Sequence, residues 1–342
     1  MRPTATQPPN GSGHARERLP DDRPCGQRGS YRSTQCRQRS SVFHHVLADG
    51  IGGLAVLAGL VDGAEETPER EFPRPAPATS RLALDALRSR VRGLSRLPRA
   101  PARVGAAVKE LRATGGTQAA RCSLNRPTGP DRRLAVATVE LAAVVDVAHD
   151  YGGSVNDVVL SAIDGALLTL LAGRGEQVQR LVVSIPVSRR QATTAAELGN
   201  QVGVAPMELP ALTNRVERLR VIVARGALIR SAPRGASADL LLPLFDGLAR
   251  LGAFRWFVNR QRLVNSFVTN LRGPEDLLCF VGSPVTAIFP IGAISGNVSV
   301  AFAVLSYAGT LTVTVVADPD AVPEVGVLCT ALQQELDAYA RT

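Results

Sequence analysis

The run VNDVVLSAIDGALLTLLA, residues 155–172, decides the fold class. Its apolar side chains recur at Val155, Val158, Val159, Ala162, Ile163, Ala166, Leu167, Leu170 and Leu171, a spacing of three and four that predicts a helix buried over a broad face. Before it, a strand is expected at Leu134–Val139 and a short helix at Leu141–His149. After it come strands at Val182–Val187 and Val202–Leu209, a helix at Ala211–Arg230, and a helical region at Leu240–Val264 interrupted by Pro243. Four more strands are expected, at Phe267–Asn270, Val285–Phe289, Val298–Ser306 and Leu311–Ala317, the last two joined by a tight turn at Tyr307-Ala308-Gly309. A helix over Pro323–Tyr339 closes the chain. Hairpins and crossovers mixed in this way predict an α/β protein, a mixed sheet with helices packed on it.

The composition agrees. The 342 residues are 45% hydrophobic and 20% charged, which excludes wholesale disorder. The longest uncharged run, Leu277–Ala317, is broken by Pro284, Pro290 and several glycines, so no transmembrane helix is expected. Residues 1–40 hold no apolar stretch of the signal-peptide kind, and a cytoplasmic protein is expected. That tail has neither helical nor strand periodicity and is expected to be disordered; it carries eight arginines against Glu17, Asp21 and Asp22, so +5 of the formal +9 lies there. Lys109 is the one lysine among 39 basic residues, a bias that codon usage alone can produce. Residues 64–130 read as a basic linker, with a partly helical stretch at Ser80–Leu97, and 131–342 as the main domain. Five scattered cysteines suit neither a disulfide framework nor a zinc site and are expected to be reduced thiols; no metal site is expected.

Ahead of the linker, residues 41–63 contain His44-His45-Val46-Leu47-Ala48-Asp49-Gly50, followed by Leu54, Leu57 and Leu60 at helical spacing and by Gly63, a helix terminator. Asp49 is placed to cap that helix. An imidazole titrating near neutrality can take the proton of an alcohol attacking a thioester and return it to the departing thiolate. The segment resembles HHxxxDG, the signature of CoA-dependent and carrier-protein-dependent acyltransferases, with all four fixed positions present. The resemblance implies that His45 is the general base, that His44 supports it, and that Asp49 and Gly50 shape the loop.

Further along come, in order, Ser123–Arg133, Asn156-Asp157-Val158-Val159-Leu160, Ser184–Ser188, Gly199-Asn200-Gln201-Val202, Thr269-Asn270-Leu271-Arg272-Gly273-Pro274, Ser306–Gly309 and Asp318–Pro323. Each motif is weak alone, but the ordered series is similar to the bacterial wax ester synthase/diacylglycerol acyltransferase family over about residues 42–342. The resemblance implies a chloramphenicol acetyltransferase-like α/β fold and transfer of a long-chain acyl group from acyl-CoA to diacylglycerol, with fatty alcohols as alternative acceptors. It implies no metal or redox cofactor. A peripheral position at the inner membrane face or on lipid droplets is in keeping with it; no nucleic-acid partner is expected. Family members carry strands and a Pro-Leu-Trp segment before HHxxxDG. Here the motif begins at residue 44 without them, so the first domain is expected to be incomplete and the chain either active or an inactive remnant that binds lipid or a partner. Another HHxxxDG acyltransferase or condensation enzyme is the alternative reading.

Several of these positions also have plainer roles open to them. Ser154 and Asp157 have capping-box spacing, so Asn156-Asp157 serves either helix initiation or substrate binding. Asn270 lies before Gly-Pro, where it forms a turn or else points into a substrate channel and donates to an oxyanion. Phe245, Phe254, Trp256 and Phe257, beside Arg250, Arg255, Arg260 and Arg262, belong either to amphipathic core helices or to a surface that meets an anionic membrane.

Overall fold

The computed structural model describes residues 50–63, 77–94, 118–188, 202–231 and 248–341. The chain divides into two units, Met1–Arg39 and Ser40–Thr342, and every described residue belongs to the second.

A six-stranded mixed sheet organises that unit. Its strands are β1 (Arg133–Glu140), β2 (Leu181–Ser188), β3 (Val202–Leu209), β4 (Ser266–Arg272), β7 (Val300–Tyr307) and β8 (Thr310–Ala317), in the order β1-β8-β7-β4-β2-β3. Strands β4 and β7 pair in parallel, as do β2 and β4, while the outer pairs are antiparallel. Two short strands, β5 (Cys279–Phe280) and β6 (Ser283–Pro284), form a separate hairpin. The β7–β8 turn is built from Ala308 and Gly309, with φ of 45° and 79°, the left-handed pair that a two-residue hairpin requires.

The helices are α1 (Gly50–Ala58), α2 (Thr79–Leu94), α3 (Leu141–Asp150), α4 (Val155–Gly173), α5 (Arg215–Ser231), α6 (Phe254–Val258) and α7 (Val325–Ala340). Helices α3, α4, α5 and α7 cover one face of the sheet. Residues two apart on a strand share a face, so Val300, Phe302 and Val304 of β7 and Leu311, Val313 and Val315 of β8 meet Val159, Ile163 and Leu167 of α4 and Leu328 and Leu332 of α7 in one core. By length and composition α4 is apolar enough to cross a membrane, but 72% of it is buried inside this domain. On the other face Ile294 packs on Ala301 and Val316.

Strand β1 ends the sheet. There the amide of Gln333, on α7, accepts from the Thr138 N–H at 3.0 Å and donates to the Thr138 carbonyl at 2.8 Å, which satisfies backbone groups that the ladder leaves unpaired.

Local departures from the sequence reading have physical causes. Val285–Phe289 is not a strand. Pro284 and Pro290 bracket it, and its backbone is used elsewhere: Val285 donates to the Leu278 carbonyl at 2.8 Å and accepts from the Tyr307 hydroxyl at 2.7 Å. Helix α5 starts at Arg215, not Ala211, because Ala211 is left-handed (φ 53°) and Asn214 Oδ1 caps the helix through the Glu217 N–H at 3.0 Å. Residues 118–130, inside the expected linker, take part in the domain: Ala119 and Leu124 are buried. Cys122 and Cys329 are free thiols. The tail 1–40 lies outside the described residues.

Candidate functional site

His44, His45 and Asp49 lie outside the described residues; Gly50 is the first residue of α1. The other described candidates lie at the N-terminus of α4 and in β4.

Helix α4 opens with a complete capping box. Ser154 Oγ accepts from the Asp157 N–H, and Asp157 Oδ2 accepts from the Ser154 N–H at 2.8 Å. Arg230 of α5 adds an ion pair to the same carboxylate at 3.0 Å. Asp157 is 1% exposed and its neighbour across the gap is Gly226, where a Cβ would overlap Asp157 Oδ1. Named above as a substrate-binding candidate, Asp157 is therefore occupied in starting α4 and joining it to α5.

Asn156, one residue earlier, is half-buried and meets Asn270 from β4: Asn270 Nδ2 donates to Asn156 Oδ1 at 3.2 Å. The parallel register pairs Asn270 with Val304, whose side chain lies in the helix-side core, so β4 presents Asn270 toward α4. The structure thus brings together two candidates that stand 114 residues apart. Thr269 points to the other face and donates to the Phe302 carbonyl at 3.5 Å.

The remaining motifs interlock. Gly273 donates to the Ser306 carbonyl at 2.9 Å and Ala308 to the Pro274 carbonyl at 3.1 Å, so the end of β4 is laced to the β7–β8 turn. Asp318 accepts from the backbone of Gly129, Asp320 and Ala321, at 2.6, 2.9 and 3.2 Å. Asn125 donates to the Val264 carbonyl at 2.9 Å and accepts at 2.7 Å from Asn265, which is fully buried and is also fixed to Val182 and Ala120. Gly199, Asn200 and Gln201 lie outside the described residues.

Sequence reading missed a second polar cluster, between α4, α5 and α7. Arg218, almost fully buried, pairs with Glu335 and donates to the Leu212 carbonyl at 2.9 Å; Arg215 pairs with the same carboxylate at 3.0 Å. Asp164 Oδ2 accepts from the Ala211 N–H at 3.1 Å, while its Oδ1 is buried without a partner. Burial pushes the Asp164 carboxyl up to about 7 against the pull of Arg218. A lone Asp among apolar helix residues gives no sequence signal for such a cluster.

On the surface, Leu251 is 82% and Trp256 61% exposed, with the Arg260 guanidinium 5.5 Å from the Trp256 ring centroid. Among the described residues no three His, Cys, Asp or Glu side chains are grouped to hold a metal ion.

This fold has counterparts among solved structures. A wax ester synthase/diacylglycerol acyltransferase from Marinobacter aquaeolei VT8 superposes with a TM-score of 0.53 at 22% identity, covering 71% of this chain and 58% of that one. A structure of condensation domain-mediated chain release from the enacyloxin polyketide synthase superposes at 0.50, with 17% identity and coverage of 87% and 57%. The architecture is thus the mixed α/β fold shared by these acyltransferases and condensation domains. In sequence, the wax ester synthase/diacylglycerol acyltransferase catalytic domain matches residues 41–159 and the C-terminal domain of the same family matches residues 198–339. The chain belongs to the wax ester synthase/diacylglycerol acyltransferase family. It is 29% identical over 315 residues to a probable diacylglycerol O-acyltransferase of Mycobacterium tuberculosis, covering 87% of this chain and 66% of the relative's length.

Proposed function

We propose that this chain transfers a long-chain acyl group from acyl-CoA to the free hydroxyl of diacylglycerol, giving triacylglycerol and CoA, and accepts fatty alcohols as alternative acceptors to give wax esters. The observation that carries this reading is the match of both family domains, in order, with the intact His44-His45-Val46-Leu47-Ala48-Asp49-Gly50 segment inside the catalytic one. His45 takes the hydroxyl proton as the oxygen attacks the thioester carbonyl. The tetrahedral intermediate then collapses, the C–S bond breaks, and the proton passes to the CoA thiolate. His44, Asp49 and Gly50 shape the loop, and the Asn156–Asn270 pair borders the substrate channel. The reaction calls for no metal or redox cofactor.

The proposal extends to location: a cytoplasmic protein peripheral to the inner membrane face or to lipid droplets. Supporting it, residues 248–264 carry four arginines and no acidic residue around the exposed Leu251 and Trp256.

The test is CoA release from palmitoyl-CoA with dioleoylglycerol or hexadecanol, comparing the chain with His45→Ala at equal folded concentration. Acceptor-dependent turnover lost in the variant is expected. Equal background in both proteins overturns the catalytic reading.

A further inference from the structure

Between Asp246 and Glu275 the sequence holds no carboxylate, and within this stretch residues 248–264 run through α6 toward β4. Three large apolar side chains face water there: Leu251 is 82%, Trp256 61% and Leu263 48% exposed. One exposed leucine is ordinary on a protein surface. Three such side chains in a short segment interleaved with arginines mark a surface that meets something.

The backbone holds them out. The Gly252 N–H donates to the Ala249 carbonyl at 3.1 Å and the Ala253 N–H to the Leu248 carbonyl at 2.8 Å, which fixes the turn that carries Leu251. Beyond α6, Gln261 Oε1 accepts from the Leu263 N–H at 2.6 Å and from the Val264 N–H at 3.1 Å. Gln261 Nε2 donates to Asn297 Oδ1 at 2.7 Å, and Asn297 Nδ2 donates back to the Gln261 carbonyl at 2.9 Å. The Asn297 N–H reaches the Val258 carbonyl at 3.0 Å, and the Ala119 N–H reaches the Arg262 carbonyl at 2.9 Å. The apolar side chains are therefore carried on a braced backbone that cannot fold them inward.

The charges select the partner. Arg255, Arg260 and Arg262 are exposed, and none has an ion pair among the described residues; the Arg260 guanidinium lies 5.5 Å from the Trp256 ring centroid. A second copy of this chain would bring the same arginines face to face across a two-fold interface, which like charges oppose. A nucleic acid would offer nothing to Leu251 and Leu263. An anionic bilayer surface accepts both parts: acyl chains take the leucines, phosphates take the guanidinium groups, and the boundary between them suits an indole.

We propose that residues 251–263 are the face by which this chain seats on an anionic phospholipid surface, with Trp256 as the anchor at headgroup level and Arg255, Arg260 and Arg262 on lipid phosphates. This docking rests on the peripheral location proposed above and names the segment, the anchor and the lipid charge that achieve it.

Trp256 is the sole tryptophan of the chain, so tryptophan emission reports on this face alone. The full chain is mixed with vesicles of phosphatidylcholine, or of phosphatidylcholine with about one third phosphatidylglycerol, and followed by co-sedimentation and fluorescence. Only the anionic vesicles are expected to sediment the chain, to shift Trp256 emission to shorter wavelength and, when their acyl chains are brominated, to quench it. Arg255→Gln, Arg260→Gln and Arg262→Gln are each expected to lower the partition coefficient about fivefold, and the triple variant to lower it roughly a hundredfold. Leu251→Ser with Leu263→Ser is expected to weaken binding as well, while the unfolding midpoints of these surface variants stay close to that of the parent. Sedimentation with unshifted emission leaves the peripheral location standing but places the contact elsewhere, as on the arginine-rich residues 1–40, and overturns the proposal. No sedimentation with anionic vesicles overturns the location and the proposal together. An equal shift with phosphatidylcholine alone, a shift that grows with protein concentration without lipid, or one produced by an oligonucleotide in place of vesicles assigns the face to another partner and also overturns it. Anionic-vesicle binding through Trp256 without acceptor-dependent turnover leaves the proposal standing and counts against the acyltransferase reading alone.

Discussion

Asn270 on β4 and Asn156 at the start of α4 share a hydrogen bond of 3.2 Å that joins the sheet to the first turn of its most deeply buried helix. A neutral, half-buried amide pair contributes about 1 kcal/mol. Asn270→Ala and Asn156→Ala are each expected to lower unfolding free energy by about that amount. The double variant should cost less than the two singles added together, because both remove the same bond. Urea denaturation of the four proteins measures the coupling; strict additivity would show that the pair contributes nothing jointly.

The capping box makes a separate prediction. Ser154→Ala is expected to cost about 1 kcal/mol and Asp157→Ala about 1–2 kcal/mol, since the latter also releases Arg230. Gly226→Ala, which changes no polar group, is expected to destabilise by about 1–3 kcal/mol through overlap with the Asp157 carboxylate. Thermal melting ranks the three.

Asp164 links stability to pH. Its carboxyl titrates at about 7 in the folded chain, against an ordinary value of 3.8, so between these values the folded state keeps a proton that the unfolded state has lost. Stability from this group therefore falls as pH rises from about 4 to about 7 and levels off above. The full difference is on the order of 4 kcal/mol. Asp164→Asn stays neutral throughout and can still accept from the Ala211 N–H. Its stability relative to the parent is expected to improve from pH 5 to about pH 7 and then to level off; denaturation curves with a constant gap from pH 5 to pH 7 would contradict the assignment.

Asn265 is the polar centre of the clasp that binds residues 119–125 to the sheet. Asn265→Leu keeps the branched four-atom shape but leaves the buried Val182 N–H and the half-buried Ala120 carbonyl without the Asn265 partner. A loss of about 2–4 kcal/mol is expected, with faster proteolysis of the 118–130 stretch as the independent readout.

What was legible in the sequence was whatever periodicity encodes. The apolar spacing of 155–172 and the alternation of 300–317 are local, repeated signals, and helix α4 and strands β7 and β8 follow them closely. Val285–Phe289 has a strand's composition, but its flanking prolines and the Tyr307 hydroxyl decide otherwise, and that hydroxyl comes from a residue 22 positions away. The site shows the same contrast. The roles open to Asp157 were readable because a capping box lies within four residues, whereas the meeting of Asn156 with Asn270 needed the β4–β7 register. Asp164 and Asn265 carried no local signal.

Gln333 at the edge of β1 has a consequence for behaviour at high concentration. Its side-chain amide presents to Thr138 the donor and acceptor that another peptide strand would present, so a helix side chain occupies the spot where a neighbouring molecule's strand could seat itself. Intermolecular ladder growth from this edge has to displace an intramolecular mimic first. One glutamine of α7 thus guards this margin of the sheet at Thr138.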